Sequence, residues 1–199
     1  MKSGHRLAVG AVALFVLASS VAWAQNPPST EEAKTAPAAI REIRILFAQG
    51  RWGQAVAALR AGEKAWPGSE DLQFMSASVA MDSGDYGTAF RLYGVLLEKY
   101  PDNAGLKNNL AWLRVKAVDP AIHDLDRALQ EAQEAVMTAA HDYNVWNTLG
   151  EVYLARGDAM RAMRLAVLAR DLAALAGEPD LRVYQDLVQR CEVEPAAGR

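Results

Sequence analysis

Few residues of this 199-residue chain are of a kind that performs catalysis, and their spacing keeps them apart. The histidines are His5, His123 and His141, and His5 lies in an N-terminal segment expected to be removed. If the other two share the helix predicted over about residues 121–140, their separation of 18 positions spans about 27 Å at ~1.5 Å per residue. Neither a shared metal nor a shared proton-transfer centre fits that distance. His123 stands next to Asp124 and near Asp126, but neighbouring helical residues point apart, so this trio reads as a solvated helix start. Cys191 is the one cysteine. It can make no internal disulfide, and no C-x-x-C pattern or activating context surrounds it. The carboxylates of residues 130–134 read as an exposed helix face. No G-x-S-x-G, H-E-x-x-H, Walker or G-x-G-x-x-G pattern occurs. The chain is therefore expected to be no enzyme, with no metal and no cofactor.

What remains for function is recognition, and the elements that would position it are helices. In residues 143–176, Trp146, Leu149, Gly150, Tyr153, Gly157 and Ala162 fall at W-x2-L-G-x2-Y-x3-G-x4-A. The first four recur at three, four and seven residues and share one helical face. Gly157 ends that helix where a left-handed residue is needed. A second helix follows from Asp158, with Ala162, Ala166 and Ala169 as a small-residue face that permits close approach. Earlier copies are visible. Gly50, Trp52, Ala55, Leu59 and Pro67 repeat as Gly84, Tyr86, Ala89, Tyr93 and Pro101, each pair 34 residues apart. The prolines stop the second helix of each copy.

The third copy departs from this register. Asn109, Leu110 and Ala111 fill its first helix, but Ala89 to Ala128 is 39 residues, so five extra residues lie in its turn. Asp119 and Pro120 are predicted as N-cap and first residue of its second helix, which carries Ala128, Ala132 and Ala135. A final helix over residues 180–193 places Leu181, Tyr184, Leu187, Val188 and Cys191 on one face. Arg182, Gln185, Asp186 and Gln189 lie on the other, which is the polar outside that a terminal cap requires.

This pattern resembles the tetratricopeptide repeat (TPR) family. The resemblance implies an all-α, TPR-type solenoid of about four helix hairpins plus a C-terminal capping helix, wound as a short right-handed superhelix. Its repeats fall at about 36–69, 70–103, 104–142 and 143–176. Members of this family bind proteins or peptides in a concave groove lined by first helices. Carried over by register, the groove residues here are Arg44, Phe74, Ser78, Asn108, Trp112, Asn147 and Glu151, flanked by Arg41 and Asn109. Asn offers a peptide backbone both a donor and an acceptor, while Phe74 and Trp112 offer apolar pockets. Asn109 also matches a consensus position of the family, where it stabilises the repeat. The clamp of Lys, Asn and Arg that some members use for C-terminal carboxylates is absent, since Phe74, Ser78, Asn144 and Thr148 occupy its slots.

The N-terminus reads as a targeting segment. Lys2, His5 and Arg6 precede an apolar run over residues 7–18, and Ala22-Trp23-Ala24 presents small residues at a cleavage site. Cleavage before Gln25 is expected, with an uncleaved anchor as the alternative. Export to a periplasm follows if the source is bacterial. Removing Lys2 and Arg6 leaves 19 basic and 24 acidic residues, a net charge of −5. That balance provides no footprint for nucleic acid, and no second long apolar run would insert in a membrane. Residues 25–37 read as a flexible linker and 194–199 as a disordered tail. The expected function is an exported adaptor or assembly factor of an envelope or secretion system. A self-associating structural scaffold, hence a homo-oligomer, is the alternative.

Overall fold

Short polar caps and glycine turns divide the chain into helices of similar length. The computed structural model describes residues 36–193, which form nine α-helices and no strand. They are α1 (Ala36–Ala48), α2 (Trp52–Ala65), α3 (Glu70–Asp82), α4 (Tyr86–Lys99), α5 (Ala104–Lys116), α6 (Leu125–Ala139), α7 (Tyr143–Ala155), α8 (Ala159–Leu175) and α9 (Arg182–Val193). The expected signal segment 1–24, the tail 194–199 and the linker up to residue 35 lie outside the described residues. Helix α1 begins at Ala36, inside the stretch read as linker. Ser69, Asp85, Asn103, Asp142 and Asp158 each accept a hydrogen bond from a backbone N–H in the first turn of the helix that follows. Gly50 and Gly157 turn the chain at φ of 68° and 82°, conformations that a Cβ would strain.

The helices group into two compact units, one ending at Ser83 and one starting at Gly84. In the first, α1 and α2 form a hairpin and α3 packs on α2. Its core is Ile43, Leu46, Phe47, Ala55, Leu59, Leu72 and Met75. Gly62 lets α2 come close to α3, since a Cβ there would lie 3.2 Å from Leu72 Cδ1.

In the second unit, the small-residue faces do what their size permits. Ala128, Ala132 and Ala135 of α6 and Ala162, Ala166 and Ala169 of α8 are fully buried, which lets each helix lie close to its hairpin partner. Apolar residues of the first helices, such as Leu149 and Val152, fill the space between successive hairpins. At the C-terminal end, α9 buries Tyr184, Leu187 and Cys191 against α7 and α8. Gly150 is what admits Leu187, because a Cβ there would come within 3.0 Å of its Cδ2. Burying a leucine in this way contributes roughly 2–3 kcal/mol. Arg182, Gln185, Asp186 and Gln189 are exposed on the opposite face.

The lengthened turn corrects the expected helix start. Helix α6 begins at Leu125, not Ala121, and its N-cap is Asp124, whose Oδ1 accepts from Arg127 N. Asp119 instead closes a turn, its Oδ1 accepting from Ala121 N and its carbonyl from the N–H groups of Ile122 and His123. The side chain of Ile122 is buried, and that anchor holds residues 119–123 as a turn. His123 and His141 therefore flank α6 rather than lying on it. A second correction concerns Glu131, which the charge pattern places on an exposed face but which is buried. It shares a face with Ala128 and Ala135, where Arg114 Nε of α5 (2.9 Å) and Arg127 Nε (3.0 Å) donate to it.

Candidate interaction face

The residues expected to line a groove fall into two sets, one in each unit. In the first unit, Arg41 is exposed on α1, and Arg44 is half-buried with its guanidinium 3.9 Å from Asp71 of α3. Phe74 is half-buried, while Ser78 is buried and its hydroxyl donates to the Phe74 carbonyl. In the second unit, Asn108 and Trp112 lie one helical turn apart on α5, and Asn147 and Glu151 do the same on α7. These two helices pack against each other, and α9 packs beside α7.

Burial divides these residues by role. Ser78, Asn108, Asn109, Asn147 and Glu151 are all buried, so they lie beneath or between the helices. Asn109 is enclosed within α5, where its Oδ1 accepts from Asn108 Nδ2 at 3.4 Å. Asn108 Oδ1 and Asn147 Oδ1 are buried without a partner. Trp112 is half-buried, with its ring edge-to-face against Tyr86 at 5.7 Å and the Lys116 ammonium 5.8 Å from its centroid.

The centre of this face is a carboxylate that spacing alone did not place. Glu151 is 6% exposed and takes charged hydrogen bonds from both neighbouring helices. Lys116 Nζ of α5 donates to it at 2.8 Å, and Arg190 of α9 donates through both terminal nitrogens at 2.6 and 2.9 Å. Burial, the largest influence on this carboxyl, pushes its pKa up. The hydrogen bonds and charges of Arg190 and Lys116 together outweigh burial and hold it below the ordinary glutamate value. The same hydrogen bonds push the Arg190 guanidinium further up. Arg190 also lies 3.5 Å from Asp186, one turn back on α9.

Lys116 and Arg190 escaped the sequence reading. Lys116 continues the Asn108–Trp112 stripe by one more turn, a signal that could have found it. Arg190 lies on the cap, outside the repeat register. Next to them, Tyr184 of α9 donates to Asn144 Oδ1 at 2.8 Å, and Tyr143 donates to Glu178 at 2.9 Å. These bonds tie the cap to the last repeat. Among the described residues, no group of three His, Cys, Asp or Glu could hold a metal ion, and no helix is long and apolar enough to cross a membrane.

No family model matches the sequence, and comparison with curated proteins finds no match. Comparison with solved structures does find one. The chain is similar to the crystal structure of a thermophilic TPR protein from Thermus thermophilus, with a TM-score of 0.63 and 19% sequence identity. The match covers 80% of this chain and 88% of that one. The fold is thus the all-α helix-hairpin fold of a TPR protein.

Proposed function

We propose that a chain with this fold acts as a non-enzymatic interaction module, holding a peptide or protein segment on the face made by α5, α7 and α9. The observation that carries this reading is a continuous strip of recognition groups on three adjoining helices: Trp112, Lys116, Asn147, Glu151 and Arg190. Salt bridges fix its geometry before any partner arrives, so little ordering cost attends binding. With the N-terminal segment read as an export signal, the module works in the periplasm as an adaptor or assembly factor of an envelope or secretion machine. The polar outer face of α9 disfavours the alternative, in which copies stack end to end.

The test is capture from periplasmic extract by the native protein beside a Trp112→Ala, Asn147→Ala double variant of matching helicity. A partner held by the native protein and lost by the variant is the expected result. Equal retention by both would remove the function from this face. A concentration-dependent sedimentation coefficient with no partner would favour self-assembly.

A further inference from the structure

The charges on the α5–α7–α9 face cancel, and they cancel from beneath. Two cations reach toward solvent, Lys116 with its side chain 27% exposed and Arg190 with 34%. Glu151 sits under them and takes hydrogen bonds from both, and Asp186 stands beside Arg190. The two cations and two carboxylates sum to zero. The other basic groups of α5 are also engaged, Lys107 with Glu134 at 2.7 Å and Arg114 with Glu131 at 2.9 Å.

This arrangement decides which ligands can bind. An incoming carboxylate would have to draw Lys116 or Arg190 away from Glu151, leaving a buried carboxylate partly unpaired, which is a strongly unfavourable state. An incoming cation would find that Glu151 already accepts from two donors. What the face still offers is uncharged. Trp112 presents part of its ring, and Asn147 has an amide oxygen without a hydrogen-bond partner. A half-turn of that amide about its terminal bond exchanges oxygen and nitrogen, so it can accept from a peptide N–H or donate to a peptide C=O.

We infer that Glu151 determines specificity: by neutralising Lys116 and Arg190 from below, it makes this face select an uncharged, extended peptide segment, read through its main chain and one apolar side chain, and reject acidic segments and free C-terminal carboxylates. This inference rests on the peptide-binding reading above and adds the ligand class to it.

The experiment uses the full chain and a pool of short N-acetylated peptides in three forms: uncharged with a C-terminal amide, uncharged with a free carboxylate, and Asp-bearing. The native protein is expected to enrich the uncharged amides, with retention unchanged by about 0.5 M NaCl, where screening is strong. Glu151→Gln, which leaves two unneutralised cations, is expected to gain about tenfold or more for the carboxylate and Asp-bearing forms, and to lose that gain in high salt. Arg190→Met approaches the face from the other side. With one net negative charge, it should favour Lys-bearing peptides, and it serves if Glu151→Gln fails to fold. Salt-sensitive enrichment of acidic peptides by the native protein would overturn the inference while leaving peptide binding intact. No enrichment of any form by the native protein would overturn both.

Discussion

Replacing Glu151 by Ala is expected to lower the unfolding free energy by about 2–3 kcal/mol at pH 7, measured as a shift in urea midpoint at unchanged m-value. The figure starts from the 3–5 kcal/mol typical of breaking a buried ion pair, discounted because Lys116 and Arg190 are partly solvated and can turn to water. Three helices are involved, so the loss should appear as looser docking of α9 and as faster amide exchange along it. A double-mutant cycle between Glu151 and Arg190 should return a coupling above about 1 kcal/mol. The pH dependence follows from the direction of the pKa shift. The folded state holds this carboxyl below its ordinary value of 4.5, so its stabilisation is full above that value and disappears as pH falls through the lowered one. Native and variant midpoints should therefore converge in acid. If they run parallel down to pH 3, Glu151 is only packing.

Most of the architecture was legible because repeats are written in residue size. The alanines of α6 and α8 lie at fixed offsets and are fully buried where they were expected. The left-handed glycines at 50, 84 and 157 mark the turns directly. Charge pairing was not legible. Lys116 and Glu151 are 35 residues apart, Glu151 and Arg190 are 39 apart, and Arg114 and Glu131 are 17 apart, so no local spacing joins them. Glu131 looked solvated for that reason, its partner Arg114 being on another helix. The start of α6 was misplaced because Asp119-Pro120 and Asp124 both suit a cap, and the choice depends on Ile122 being buried. Of the groove residues, register put Asn108, Trp112, Asn147 and Glu151 on neighbouring helices. It could not tell that Glu151 is already spoken for.

Asp82 carries the second large effect, with the opposite sign. Both its carboxylate oxygens are buried without a partner at the C-terminal end of α3, and burial pushes its pKa up from 3.8 to about 7. The helix dipole also disfavours a negative charge at that end. A group whose folded pKa is raised stabilises the fold fully below its unfolded value, and that contribution is lost as pH climbs toward the folded value. Stability should thus decline between about pH 4 and 7 and level off above. Three pK units correspond to roughly 4 kcal/mol as an upper bound, at about 1.4 kcal/mol per unit. Asp82→Asn is expected to raise stability by about 2 kcal/mol at pH 8 and to leave it nearly unchanged at pH 4, read from urea midpoints at the two values. A variant less stable than the native chain at pH 8 would mean that the ionised carboxylate has a stabilising role.

The most direct test of where a partner sits is site-specific photo-cross-linking in the native host. A benzophenone amino acid replaces Trp112 on the interaction face in one strain. In another it replaces Met137, which is 84% exposed on α6, the second helix of its hairpin. A discrete adduct from position 112 and none from position 137 is the predicted result. An adduct from 137 alone would place the partner on the second helices and contradict the assignment of the α5–α7–α9 face.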